Sequence, residues 1–353
     1  MYSSISSSDP PTEWRRFFRF CAGIAAIIVG AIYVVVVMVD PWGSLPVSLP
    51  LDRVPVTSNQ RFSYPALARS PRFDSAIFGT STSRLLRPAA LDPAFGARFA
   101  NLAMNDATPF EMSSLLGVFN RAHPSAKVVM LGVDSPWCVT GNSFQKLTPR
   151  PFPSWMYATN RWRGYAEMFN LFAIQEAGKE FGVLTGLKKP DMGRDGYTSF
   201  VPPDSTYDPA RAVVHLREAE PRIPSGERAG TSRSWLFPAL DLLRSDLAAL
   251  PAETYKLLFF PPYNHRLLPA PGSDGATVWD ECKRRVTALA HATPNGKAVD
   301  FMLPSPITND DDNYWDPLHY RVGVADRIAH DLSTSDHEED SPDYRIMSDH
   351  RRR

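Results

Sequence analysis

Two stretches far apart in the chain carry residue types suited to nucleophilic chemistry. The first, IFGTSTSR from Ile77 to Arg84, sets Thr80, Ser81, Thr82 and Ser83 directly behind an apolar run. The second, DPLHY from Asp316 to Tyr320, places an aspartate three residues before a histidine. Asp-x-x-His at the entry of a helix lets the carboxylate reach the imidazole Nδ1–H within one turn of chain. That contact fixes the tautomer and leaves Nε2 to accept a proton from a hydroxyl. Each stretch also has a plainer reading. Ser and Thr at a strand-to-helix turn cap orphan helix N–H groups, and Asp-Pro-Leu-His is a common kind of turn with a surface histidine. Among the other histidines, His123 and His291 end helices, where a role at the C-terminal dipole suffices. His265, in PPYNHRLL, is the one rival with access to the same region.

The elements that must position these residues alternate between short apolar runs and amphipathic segments. DSAIFG, ARFANLA (Ala97 to Ala103), AKVVMLGVD (Ala126 to Asp134), YKLLFFPP and AVDFML read as five buried strands. Helical spacing marks PFEMSSLLGVFNRAH, PALDLLRSDLAAL and TVWDECKRRVTALAHA, and VGVADRIAHDL closes the domain. The alternation predicts an α/β fold, a doubly wound parallel sheet sandwich. In such sheets ligands sit beyond the carboxyl ends of the strands. Ser81 follows the first strand, Asn105 and Asp106 the second, Asp134 ends the third, and Asp316 and His319 follow the fifth. All fall at one edge.

Around this domain, composition sets the context. Of 353 residues, 43% are hydrophobic and the formal charge is zero, which provides a full core and gives no reason to expect nucleic acid as a partner. Residues 20–39, FCAGIAAIIVGAIYVVVVMV, carry no charge and are long enough to cross a hydrocarbon core. Arg15, Arg16 and Arg19 precede them, so residues 1–19 are expected to be cytoplasmic and the main domain extracytoplasmic. A cleaved signal peptide competes, but VVMVDPWG has no small-x-small site, which favours an uncleaved single-pass anchor. Residues 40–72 read as a Pro-rich linker along the surface, 73–332 as the domain, and 333–353 as a polar, disordered tail.

An interruption at about 139–233 is irregular and aromatic-rich, with one clear helix, YAEMFNLFAIQEAGKEFG. Its rings either pack it onto the sheet or form a platform for sugar faces, with Trp155 and Trp162 the candidates. Cys21 lies in the anchor. Cys138 and Cys282 lie in the exported part, where a disulfide is permitted but two buried thiols are the expectation. The run NDDDN (Asn309 to Asn313) lacks EF-hand spacing, and no CxxC or His-x-His grouping occurs. No metal and no cofactor are expected.

The order IFGTSTSR, ANLAMNDATPFE, VVMLGVD, DPLHY resembles the four sequence blocks of the SGNH (GDSL-like) hydrolase superfamily. It is similar in particular to the membrane-anchored branch that includes alginate O-acetylation proteins and the D-alanyl transfer protein of teichoic acid synthesis. The resemblance covers roughly residues 74–332, without the insertion, and implies the flavodoxin-like SGNH fold. It also implies Ser81 as nucleophile, with Ser83 pointing away, His319 as general base and Asp316 as its orienting partner. The N–H of Ser81 would be one oxyanion donor. Two positions depart from the family pattern. Asn105 and Asp106 stand near a block-two Gly whose N–H completes the oxyanion hole, a role any backbone can fill. Asp134 stands where relatives usually have an amide-donating Asn, and an ionised carboxylate there repels an oxyanion unless protonated or turned away. Asp134 could instead bind a substrate hydroxyl or orient the loop. The implied activity is a serine acyltransferase or esterase at a bacterial inner membrane, its main domain periplasmic. Its substrate would be O-acyl groups of envelope or secreted polysaccharide or glycolipid, and transfer would draw on a multi-spanning membrane protein as acyl donor. The alternative is a non-catalytic carbohydrate-binding or assembly component that works through the aromatic insertion.

Overall fold

The computed structural model describes residues 11–141, 144–222, 231, 234–335 and 341–350. The remaining parts of the expected N-terminal segment, insertion and tail lie outside the described residues. The chain opens with helix α1 (Pro11–Val39), of which Glu13–Val39 is long and apolar enough to cross a membrane. After α2 (Gln60–Leu67) come β1 (Ser75–Phe78), the one-turn α3 (Ser81–Arg84), α4 (Pro88–Phe95) and β2 (Phe99–Asn101). Helix α5 (Pro109–Ala122) then leads to β3 (Val128–Gly132). The insertion carries α6 (Ser154–Tyr157), α7 (Gly164–Glu167), α8 (Leu171–Leu184) and α9 (Pro209–Arg217). Next are α10 (Pro238–Ala249), β4 (Tyr255–Phe260), α11 (Asp274–Ala292), β5 (Gly296–Asp300), α12 (Val322–Thr334) and β6 (Arg345–Asp349).

The six strands form one sheet in the order β2-β1-β3-β4-β5-β6, parallel except for β6. The five parallel strands follow the doubly wound order 2-1-3-4-5, whose topological switch point lies between β1 and β3. Strand alternation divides the core. Ala76, Phe78, Val129, Leu131, Leu258 and Phe260 face α5, α10 and α11, whereas Ile77, Val128, Met130, Leu257 and Phe259 face α4 and α12. Both faces are covered, so the strands read as continuous apolar runs.

Local chemistry sets the breaks. Thr108 and Glu111 form a capping box at the start of α5, with Pro109 at the first helical position. The helix expected directly behind Ser81 is two helices, because Pro88 has no N–H to continue one. The single helix expected in the insertion is likewise two. Asn170 breaks it, and its side chain accepts the N–H of Ala173 at 2.8 Å to cap α8.

Three expectations are corrected. Residues 40–72 are part of the domain rather than a surface linker, with Trp42, Leu45, Val54, Val56 and Tyr64 buried. Trp42 Nε1 donates to Thr57 Oγ1 at 2.9 Å, and Arg61 forms a fully buried ion pair with Glu111. Secondly, the C-terminal tail does not stay free. Its residues 345–349 add β6 antiparallel to β5, covering an edge that would otherwise expose unpaired backbone groups. Thirdly, Cys138 and Cys282 are joined in a disulfide rather than held as thiols. It ties the 3-10 turn at Ser135–Cys138 to α11 across a sequence separation of 144, a proximity that only the sheet order creates.

Candidate active site

Ser81 is placed by the turn that leaves β1. Gly79 there has φ +151°, and a Cβ on it would stand 2.2 Å from the Ser83 hydroxyl. A Cβ on Gly132, at the end of β3, would stand 2.0 Å from the same oxygen. Both positions therefore need glycine, and Ser83 wedges between them, buried and pointing away from the cleft. With Ser83 held inside and Thr80 in extended conformation, Ser81 begins α3 at the cleft. No side chain caps α3, so Thr82 and Ser83 do not play the capping part open to them in the sequence. Asn101 instead secures its far end, donating from Nδ2 to the carbonyls of Ser83, Arg84 and Leu86 at 2.8–3.2 Å.

Asp316 and His319 sit in the loop after β5, pinched by a backbone bridge between Tyr314 and Tyr320. Asp316 Oδ1 accepts the N–H groups of Leu318 at 2.9 Å and His319 at 3.0 Å. Its Oδ2 accepts His319 Nδ1–H at 2.7 Å, and His319 Nε2 in turn accepts the Ser81 hydroxyl at 2.7 Å. The next residue locks the two halves together, as Tyr320 OH donates to Thr82 O at 2.6 Å. Phe200 sets its ring edge-on to the imidazole, centroids 5.0 Å apart. Burial raises the Asp316 pKa, but its hydrogen bond to His319, the charge there and the two backbone donors outweigh that. The net shift is downward, and the carboxyl stays an acceptor. This is the nucleophile–base–orienter order that nucleophilic acyl transfer requires.

The cleft has a volume of about 370 Å³ and takes in Ser81, His319, Asn105, Asp106, Asp134 and Ser135. Asp106 holds a left-handed φ of +52°, a conformation that a non-glycine residue keeps only when its surroundings insist. Here they do. Arg61 donates to the carbonyls of Asn105 at 3.2 Å and Asp106 at 3.4 Å, while Glu111 holds the guanidinium at 2.9 and 2.5 Å. The Asn105 N–H donates to Gln60 Oε1 at 3.3 Å, and Asn105 Oδ1 accepts from Arg84 at 2.6 Å. Among the described residues, the N–H groups of Ser81 and Asp106, two residues that border the cleft, meet no protein acceptor.

Asp134 is turned away from that task. Its Oδ2 accepts the hydroxyls of Thr80 and, at 3.4 Å, Thr82, the two neighbours of Ser81. It therefore holds the turn that carries Ser81. Its Oδ1 is buried without a hydrogen-bond partner. Burial raises its pKa to about 6, against the opposing effects of the Thr80 hydrogen bond and the Arg222 charge.

Trp155 and Trp162 do not line the cleft. Trp155 is buried against Gly164, and Trp162 is exposed and stacked on Tyr165. The insertion reaches the cleft through Arg150, Phe200 and Arg222 instead. Those residues stand in irregular sequence without a motif to mark them. Arg222 is held by its Nε bond to Ser135 Oγ at 3.0 Å. His265 lies 3.7 Å from Asp311 and does not reach the cleft.

Comparison of the chain with protein-family models and with curated proteins finds no match in either. Class and activity must therefore be argued from the fold and the site.

Proposed function

We propose that this chain is a membrane-anchored, extracytoplasmic serine acyltransferase or esterase of SGNH type, acting on O-acyl groups of envelope or secreted polysaccharide. One observation carries the reading: Ser81 Oγ, the His319 imidazole and the Asp316 carboxylate stand in a continuous hydrogen-bonded chain, each step 2.7 Å. His319 takes the Ser81 proton as Oγ attacks the ester carbonyl. The tetrahedral oxyanion faces the Ser81 and Asp106 N–H groups. Collapse expels the alcohol, protonated by His319, and leaves an acyl-enzyme that water or a sugar hydroxyl resolves. The 2-1-3-4-5 strand order and the arrival of all three residues at the carboxyl edge of the sheet support the superfamily reading. The charged side chains bordering the cleft, Arg150 and Arg222 with Asp106, suit a hydroxylated glycan better than a wholly apolar substrate.

The alternative, a glycan-binding component without catalysis, draws on Asp134 occupying the position where relatives place an amide donor. Treating the full-length protein with a fluorophosphonate probe and an aryl acetate separates the two. Labelling and turnover in the parent, both lost on the order of 10³-fold or more in Ser81→Ala and His319→Ala, support the enzyme. A folded parent inert to both reagents yet binding glycan overturns it.

A further inference from the structure

The insertion helix α8 is amphipathic in the inverted sense. Its inner face is small and polar: Ala173, Glu176, Ala177 and Glu180 are buried, and Glu176 accepts from Thr57 Oγ1 at 2.5 Å and Lys179 Nζ at 2.6 Å. Its outer face is largely apolar and uncovered. Leu171 is 84% exposed, Phe181 55% and, just past the helix, Leu187 83%, with Ile174 on the same side and Gln175 and Gly178 exposed among them. A helix that sends its carboxylates inward and its leucines and phenylalanines outward is matched to an apolar surrounding rather than to water.

The position of α8 identifies that surrounding. It packs on α1 along a groove of about 300 Å³ formed by Val29, Ile32, Tyr33 and Val36 on one side and Phe169 and Ile174 on the other. Tyr33 OH donates to Tyr165 O at 2.8 Å, and the Tyr33 and Phe169 rings meet at 5.7 Å. At 1.5 Å rise per residue, Val36 and Val29 lie about 5 and 15 Å inside the end of α1 at Val39. Both depths fall within the outer half of a hydrocarbon core about 30 Å thick. Around the contact stand groups that favour the headgroup zone: the stacked Trp162 and Tyr165 beside the α1–α8 groove, and Lys188 and Lys189 beyond α8.

We propose that α8 is a second membrane element, lying in the leaflet that adjoins the domain with its outer face against lipid acyl chains. This rests on reading α1 as a membrane span. With α8 immersed beside it, the domain is held in one orientation by two helices instead of swinging on one.

The test uses the full chain with Cys21→Ser, reconstituted in phosphatidylcholine–phosphatidylglycerol vesicles and carrying single bimane labels. Labels are placed at Ile174→Cys and Phe181→Cys on α8, Ile27→Cys on α1 and Asp280→Cys on α11 of the domain. The expected result is loss of emission at positions 174 and 181 to nitroxide-bearing acyl chains, comparable with the loss at 27, and no loss at 280. Quenching of 174 and 181 by aqueous iodide, while 27 is quenched by lipid, overturns the α8 proposal and leaves the anchor standing. Iodide quenching at 27 as well overturns both. Protection of 174 and 181 from both quenchers also overturns it, because a second copy or another membrane protein then covers the face.

Discussion

At the residue scale the decisive group is Asp134. His319 and Ser81 are oriented by contacts that leave little freedom, but the floor beside them carries a carboxyl with one oxygen on two threonine hydroxyls and the other without a partner. Burial lifts its pKa from 3.8 to about 6, so the folded protein holds this proton to higher pH than the unfolded chain does. The stability contribution is therefore greatest at acid pH and declines as pH rises from about 4 through about 6, above which a buried carboxylate must be tolerated. Asp134→Asn removes the charge. It is expected to gain on the order of 2–3 kcal/mol over the parent at about pH 8 and little below about pH 4, read from urea denaturation at the two pH values. The same substitution removes a negative charge close to the proposed oxyanion. Esterase activity of the parent should fall as pH rises through about 6, and that limb should be absent from Asp134→Asn.

At the scale of elements, the site depends on segments that are not part of the sheet. Helix α2 contributes Arg61, which is 0% exposed and bonded at once to Glu111 of α5 and to the Asn105 and Asp106 carbonyls. One guanidinium thus joins a helix, a capping box and the strained loop at the cleft. Arg61→Met leaves Glu111 buried and unpaired, at an expected cost of about 3–5 kcal/mol measured as a lowered urea midpoint. Adding Glu111→Leu should recover part of that loss only, since it also removes the capping box and the bonds from Thr108 and Thr148. Activity should not return, since Asp106 still lacks the donor that holds its carbonyl. Residues of this kind escape a reading by motif. Pro-rich sequence from 40 to 72 looks like a linker because its few apolar residues have no helical or strand period, yet Trp42, Leu45, Tyr64 and Leu67 join the main core.

At the scale of the whole molecule, a parallel sheet leaves two edges, and the chain closes one with its own C-terminus. Strand β6 pairs with β5 and brings Asp349 to 3.4 Å from Lys297, a lysine with no exposed surface. Removing residues 341–353 takes Asp349 away from that lysine, which keeps its bond to Ser335 O, and leaves the β5 edge bare. The expected outcome is a lower thermal midpoint and concentration-dependent aggregation by size-exclusion chromatography, set against the intact chain in the same detergent.

Periodicity and local motif determined a good deal by themselves. Five strands, their buried character and the apolar helix at the start could be read, because each depends on neighbours within a few residues. Ser81, Asp316 and His319 are singled out by their places at strand ends and by the resemblance. What lay beyond reach were contacts between distant segments: the Cys138–Cys282 disulfide, the docking of residues 345–349, the burial of Arg61, and the arrival of Arg150, Phe200 and Arg222 at the cleft. Asp134 belongs to the same group. Its position at the end of β3 was legible, but its direction depends on which hydroxyls the β1 turn presents across the sheet. Local pattern governs what a segment becomes. Only packing decides what each side chain faces, because that energy is shared among groups remote in sequence.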